Sequence, residues 1–233
     1  MKCIIIIPVF NPPKHFSKLL INILDNVNIP IVVVDDGSRP SLNIPNKNII
    51  LKLLTNEVNK GKGSAMLKGF KYAAQKGFTH AITLDADFQH DPKFIPSFLN
   101  VDENIAIVTG NRIFNNMMPF HRRFSNIITS IILSFICKTK ILDSQCGYRR
   151  YRLEDLLNET FIERGFQFES EVLIKELRKG LKIYHIEIPT IYAEESSSIN
   201  HLHDTWKFIK LIIRTLINNN LKVLHMSSRK RKY

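Results

Sequence analysis

Residues 80–92, HAITLDADFQHDP, decide how the rest of the chain is read. An apolar run, Ala81-Ile82-Thr83-Leu84, stops at Asp85 and Asp87, with Asp91 close behind. Carboxylates at the mouth of a buried strand are costly unless something completes their charge. Runs of the same kind recur at Cys3–Ile7, Ile31–Asp35, Asn48–Leu54 and Ile105–Thr109, and His80–Leu84 is itself one of them. They are apolar on both faces, as strands are in a parallel sheet covered on both sides. Between them lie stripes at helical spacing: Phe16, Leu19, Leu20, Ile23, Leu24 and Val27 form one, and Met66, Leu67, Phe70, Ala73 and Ala74 another. This order predicts an α/β fold over residues 1–110, a mostly parallel open sheet flanked by helices. Ligands of such sheets bind beyond the carboxyl ends of the strands.

The second half is less regular. It predicts helices near His121–Lys138, Glu169–Lys179 and Asp204–Asn218, and a strand over Leu181–Ile188. The domain reading is a folded region over 1–200, a C-terminal amphipathic helix over 201–226 and a basic, frayed tail over 227–233. With 233 residues and 44% hydrophobic content the chain can bury one sizeable core. Its net charge of +12 attracts something anionic: nucleic acid, lipid headgroups or phosphorylated substrates. Cys3, Cys137 and Cys146 form no CxxC pair, which argues against a disulfide framework or a structural zinc site and for a reduced, cytoplasmic chain. The opening MKCIIIIPVFNPP reads as a first strand, not a signal sequence, because Pro8, Pro12 and Pro13 cut it and no small-residue cleavage site follows. No stretch reaches the ~18 uninterrupted apolar residues of a spanning helix.

Polar punctuation follows three of the strands: Pro8-Val9-Phe10-Asn11, then Asp35-Asp36-Gly37-Ser38 after Ile31-Val32-Val33-Val34, then Asp85-Ala86-Asp87-Phe88-Gln89. Parallel strands would project all three to one rim. Taken alone, Asp35–Ser38 reads best as a turn. Taken alone, Asp85 and Asp87 fit a helix cap as well as a metal site. Together they form a hard oxygen set of two carboxylates and the Gln89 amide, suited to Mg²⁺ or Mn²⁺ with a diphosphate supplying the missing ligands. Asn59-Lys60-Gly61-Lys62-Gly63-Ser64 is glycine-rich and basic, as a phosphate-facing loop would be, yet no Walker A motif or GxGxxG can be drawn through it.

In order, IIPVFNPP, VVVDDGS, NKGKGSAMLKGF, LDADFQHDP, GNR, DSQCGYR and GFQFESEVL resemble the family 2 glycosyltransferases of the GT-A fold, across roughly residues 3–195. The branch resembled most is that of the dolichyl-phosphate mannosyltransferases and polyprenyl-phosphate sugar transferases. The resemblance implies a nucleotide-sugar pocket lined by Pro8, Phe10 and Asp36, with Asp35 nearby and Asn11, Val34, Lys60 and Ala86 around them. It implies that Asp85 and Asp87 are a DxD pair holding Mg²⁺ or Mn²⁺ with help from Gln89. Arg112 would sit by the diphosphate or the transferred sugar, the 143–148 segment would border the acceptor, and Glu169 and Glu171 would lie near the reaction centre. Such enzymes invert the anomeric centre in a single displacement. Phe88 departs from the family pattern, which has Gly or Leu there more often, and Glu195-Ser196-Ser197-Ser198-Ile199 lacks the basic residue common in that segment. The QxxRW motif of processive synthases is absent, which favours transfer of a single sugar.

A phosphate acceptor is already ionised near neutral pH, its second pKa being about 6, and needs little help from a base. A sugar hydroxyl would need one, and Asp143, Glu169 and Glu171 are the candidates. Glu171 also fits a solvated helix position paired with Lys175. Phe120–Lys138 and Trp206–Ile217 mix apolar and basic residues, as helices in a bilayer interface do, although such helices also cover sheets or join subunits. The resemblance and the charge favour peripheral contact with the cytoplasmic face of a membrane. His201-Leu202-His203-Asp204 reads as a helix start, and His90 as a neighbour of the acids or a loop residue. The expectation is thus a metal-dependent inverting transferase acting on a nucleotide-diphosphate sugar and a polyprenyl phosphate. The rivals are transfer to a saccharide hydroxyl of a glycan and a basic nucleic-acid- or nucleotide-binding protein without turnover. No nucleic-acid recognition motif supports the last of these.

Overall fold

The structure is a computed structural model that describes residues 1–44, 50–113, 120–191 and 201–230; the side chains of 121, 201, 202 and 218–230 are outside the description. The chain forms two compact units, Met1–Glu195 and Ser196–Tyr233. The first contains β1 (Cys3–Val9), α1 (Phe16–Asn26), β2 (Ile31–Asp35), β3 (Leu51–Thr55), α2 (Lys62–Gln75) and β4 (His80–Thr83). A 3₁₀ turn (Pro92–Phe94) leads into α3 (Ile95–Leu99), followed by β5 (Ile107–Ile113), α4 (Phe120–Cys137), β6 (Arg149–Arg152), α5 (Leu153–Leu157), α6 (Phe168–Arg178) and β7 (Ile183–Pro189). The second unit is α7 (His201–Lys230).

The strands form one sheet in the order β3-β2-β1-β4-β6-β5-β7. β1, β2, β3 and β4 are parallel, and β7 is parallel to β5. Alternation along β1 divides the core. Ile5 and Ile7 pack with Phe16, Leu19 and Ile23 of α1 on one face. On the other, Ile6 and Val34 meet α2 at Gly69, where a Cβ would lie 2.6 Å from Ile6 Cγ2. Each buried aliphatic of this kind contributes roughly 1.5–3 kcal/mol.

β6 runs antiparallel to both β4 and β5, so the sheet is mixed. Arg149-Arg150-Tyr151-Arg152 does not read as a strand, because two successive arginines are not expected in a sheet interior. Both are fully buried. Their charge is covered by main-chain oxygens. Arg149 donates to the carbonyls of Cys146 (2.7 Å), Ser144 (2.7 Å) and Glu169 (3.1 Å). Arg150 donates to those of Val101 (2.6 Å), Asp102 (2.6 Å) and Phe98 (3.0 Å).

Several boundaries differ from expectation. β5 runs on to Ile113 and so includes Gly110-Asn111-Arg112, because β7 pairs with it through Ile113↔Pro189. α7 is longer at both ends than Asp204–Asn218 and reaches into the segment expected to be a frayed tail. Residues 48 and 49 of the expected third strand, 195–199, and 231–233 lie outside the described residues. α4 turns Asn126, Ser130, Leu133 and Cys137 inward, while Phe120, Phe124, Ile131 and Phe135 form an exposed apolar stripe. In α7, Lys210 Nζ stands 5.4 Å from the centre of the Trp206 ring. No helix among the described residues is long and apolar enough to cross a membrane.

Candidate active site

The parallel strands bring three polar turns, two of them acidic, to one rim. Val9 is in register with Asp35, Pro8 with Val34 and Ile6 with Thr83, so the chain leaves β1, β2 and β4 on the same side. Pro8 and Val34 are buried strand residues, and Phe10 is exposed at the rim. Asn11 takes a φ of 46° and links two turns: its Oδ1 accepts from Arg39 N (2.9 Å) and its N–H donates to Ser38 Oγ (2.8 Å).

The Asp35 and Asp36 carboxylates are both engaged by the protein. Asp35 accepts from Ser38 N (2.9 Å) and Leu42 N (3.1 Å). Asp36 accepts from Asn56 Nδ2 (2.7 Å), Lys60 N (3.1 Å) and Gly61 N (2.7 Å). This corrects the phosphate-facing reading of the 59–64 loop at its first two amides: the N–H groups of Lys60 and Gly61 point at Asp36, not at a ligand. Gly61 has φ 93°, and a Cβ there would lie 2.5 Å from Arg164 O, so only glycine fits.

That turn delivers Lys62, the first residue of α2, into the rim. Lys62 Nζ lies 2.6 Å from Asp85 Oδ1 and 3.0 Å from Glu169 Oε2. Lys62 was not among the residues expected at the site; the only hint was a basic residue in a glycine-rich loop. Burial works against the charge of Asp85, but the Lys62 ammonium in contact with it, helped by Arg112, outweighs this and brings its pKa down to about 2. Burial, and then the charge of Asp85, push Asp87 upward, as expected of two acids that share a site without an ion between them. Asp87 Oδ1 accepts from Gln89 N (3.0 Å), so the Gln89 main chain already serves this acid. His90 is buried; its Nδ1 accepts from Asp85 N (3.3 Å), and burial holds the ring neutral. Gly147 closes the other side of Asp85, where a Cβ would stand 2.4 Å from Oδ2.

Arg112 enters from β5. Its Nε donates to Asp143 Oδ2 (2.7 Å) and its Nη2 to Asp143 Oδ1 (3.0 Å). Asp143 is fully buried and also accepts from Asn126 Nδ2 (2.9 Å) and Gln145 N (3.1 Å). Burial opposes its charge, but the Arg112 guanidinium holds its carboxyl below the usual range. Its lone pairs are engaged in this way, and it holds the Arg112 guanidinium in a two-bonded fork. The reading of Glu171 is corrected. It is 2% exposed, so it is not a solvated helix residue, and its carboxylate accepts from Ile162 N (2.9 Å) and Glu163 N (2.8 Å) while pairing with Lys175 (3.4 Å). It anchors the 160–163 turn. Glu169 remains beside Lys62, and its Oε1 is buried without a hydrogen-bond partner.

Among the described residues no group of three or more His, Cys, Asp or Glu is arranged to hold an ion. Two neighbouring carboxylates nevertheless fit Mg²⁺ or Mn²⁺, which are bound through one or two such groups and completed by substrate phosphates and water.

An open α/β sheet with an acidic pair and a buried lysine at its carboxyl rim is the arrangement of a glycosyltransferase of the GT-A kind. A family model described as Glycosyl transferase family 2 matches residues 4–167, and the chain belongs to that family. It is 30% identical over 217 residues to a UDP-N-acetylglucosamine–dolichyl-phosphate N-acetylglucosaminyltransferase of Methanococcus voltae, covering 82% of this chain and 86% of that one. It is 31% identical over 193 residues to a dolichol-phosphate mannosyltransferase of Pyrococcus furiosus, covering 75% of this chain and 53% of the relative. Glucosyl-3-phosphoglycerate synthase from Mycobacterium tuberculosis, solved with Mn²⁺, UDP and glucosyl-3-phosphoglycerate, shares the fold with a TM-score of 0.66 at 18% identity, over 93% of this chain and 79% of that one.

Proposed function

We propose that this enzyme transfers a single hexose, with inversion, from a nucleotide-diphosphate sugar to a polyprenyl phosphate. The observation that carries the reading is the Asp85–Asp87 pair at the carboxyl rim of the sheet, with the Lys62 ammonium 2.6 Å from Asp85 Oδ1. Asp85 and Asp87, with Gln89 beside them, would hold Mg²⁺ or Mn²⁺, which supplies Lewis-acid stabilisation of the charge growing on the leaving diphosphate. Arg112, held by Asp143, adds fixed positive charge that needs no reorganisation during reaction, and Lys62 adds a second positive charge at the rim. Asp143 keeps the Arg112 fork in one orientation, and Asp36 and Gly61 set the position of Lys62. Asn11, Phe10, Pro8, Val34 and Asp35 shape the rim where the nucleotide would lie, and Ala86 spaces the two acids.

The engagement of the carboxylates favours a phosphate acceptor over a sugar hydroxyl. Asp143 and Glu171 are saturated by donors, and Glu169 is tied to Lys62, so a base for a hydroxyl is poorly provided. A phosphate monoester needs orientation more than deprotonation. The relatives in M. voltae and P. furiosus are named for dolichyl-phosphate acceptors, which supports the same choice. The exposed stripe Phe120, Phe124, Ile131 and Phe135 on α4, next in sequence to Arg122 and Arg123, suits peripheral contact with an anionic membrane face.

The test is transfer of label from UDP-N-acetylglucosamine, UDP-glucose and GDP-mannose, each with Mn²⁺ or Mg²⁺. Polyprenyl phosphate in vesicles and free saccharides serve as separate acceptors. Label should enter the lipid phosphate, and stop doing so when EDTA removes the ion. Label found only in saccharide would move the assignment to glycan extension.

A further inference from the structure

Asp85 already has a cation. The Lys62 ammonium is 2.6 Å from Asp85 Oδ1 and 3.0 Å from Glu169 Oε2, on a side chain only 15% exposed. It is held there from behind. Asp36 grips Lys60 N and Gly61 N, and the φ of 93° at Gly61 fixes where α2 begins. Asp85 cannot back away, because Gly147 fills the space on its Oδ2 side. Glu169 has unused capacity: its Oε1 is buried and lacks a hydrogen-bond partner.

We infer that Lys62 is a tethered counter-ion that occupies Asp85 in the donor-free protein and shifts toward Glu169 when a divalent ion and the donor diphosphate arrive. The inference rests on the proposed role of Asp85 and Asp87 as the metal pair. An ammonium 2.6 Å from Asp85 Oδ1 and a divalent ion on the same oxygen repel each other strongly in a site shielded from water. An ion arriving alone must therefore displace Lys62 without compensation. An ion arriving with a diphosphate brings negative charge that pairs with both cations. Ion and donor are thereby coupled, and the coupling works equally in both directions. Donor-free protein should bind the ion weakly, and the acids remain neutralised until a nucleotide sugar enters.

Electron paramagnetic resonance of Mn²⁺ titrated into the full chain tests this without reference to turnover. With no nucleotide present, Lys62→Met should bind Mn²⁺ at least about fivefold more tightly than the wild type, the lower end of typical coupling factors. Lys62→Arg, which keeps the charge, should stay close to the wild type. UDP or GDP should tighten Mn²⁺ binding in the wild type by a larger factor than in Lys62→Met. If Lys62 only shapes the site, the Met variant will bind Mn²⁺ equally or more weakly, and the inference is overturned. Should that variant fail to fold, side-chain NMR of ¹⁵N-lysine wild type decides. The Lys62 ammonium signal should move when Mg²⁺ and nucleotide are added together, and a fixed signal overturns the inference. If Mn²⁺ binds neither protein with either nucleotide, the metal role of Asp85 and Asp87 falls, and the counter-ion role falls with it.

Discussion

Asp143 and Arg112 show how a buried charge is made tolerable one residue at a time. The carboxylate has no exposure and the guanidinium side chain 13%, yet each satisfies the other in a two-bonded fork. Removing one partner leaves the other uncompensated, which costs about 3–5 kcal/mol for a buried pair. Asp143→Ala should therefore lower the melting temperature by several degrees and reduce turnover by releasing Arg112. Asp143→Asn, which keeps one acceptor oxygen, should lose less. Equal melting temperatures for Asp143→Ala and the wild type would show that the pair contributes nothing. At this scale the sequence was informative about chemistry and silent about pairing. Asp85 and Asp87 stood out because acids rarely end a hydrophobic run. Lys62, 23 positions away from Asp85, could be joined to it only once α2 was packed on the sheet. The i,i+4 pairing of Glu171 with Lys175 is legible and is found, but the donors Ile162 and Glu163 for Glu171, and Arg112 and Asn126 for Asp143, are joined to their acids by no local pattern.

For the elements, legibility followed apolar composition. β1, β2 and β4 are Ile- and Val-rich runs between helical stripes, and period alone identifies them. β6 escaped because its arginines are covered by main-chain oxygens, of the preceding 144–146 segment and of Phe98–Asp102 and Glu169 farther along the chain, an effect with no trace in local composition. α3 escaped because it is five residues long and carries Pro96 in its first turn. Gly69 is the point where α2 meets β1 most closely. An added methyl would press on Ile6 and Val34, both fully buried, with 2.6 Å where about 3.5–4 Å is comfortable. Gly69→Ala should lose about 1–3 kcal/mol, less whatever the helix gains from alanine. Chemical denaturation would read it as a lower midpoint at unchanged slope. A stabilised variant would mean that α2 can slide outward freely.

Across the whole molecule, acid should weaken the fold through its buried histidines. Burial pushes His80, His90 and His185 below their ordinary pKa, so the folded chain binds fewer protons than the unfolded chain in mildly acidic solution. The stability this provides is complete above about pH 6.5, the unfolded value, and is lost as pH falls through the lower folded values. His185 makes the reason concrete: its Nε2 accepts from Leu142 N at 3.2 Å, a bond that a protonated ring cannot make. Melting temperature should fall between pH 7 and pH 5, and His185→Gln, which keeps an acceptor that cannot titrate, should flatten part of that fall. An identical slope in the variant would remove His185 from the account.

β6 has one more consequence. It is laddered to β4 on one edge and to β5 on the other, so the strand that leads to Asp85 and the strand that carries Arg112 belong to a single stiff plate. Prising the two apart would tear main-chain bonds on both sides of a strand whose arginines are locked to the 98–102 and 144–146 segments and to the start of α6. The machinery is therefore an anvil rather than a pair of jaws: substrates must come to it already aligned.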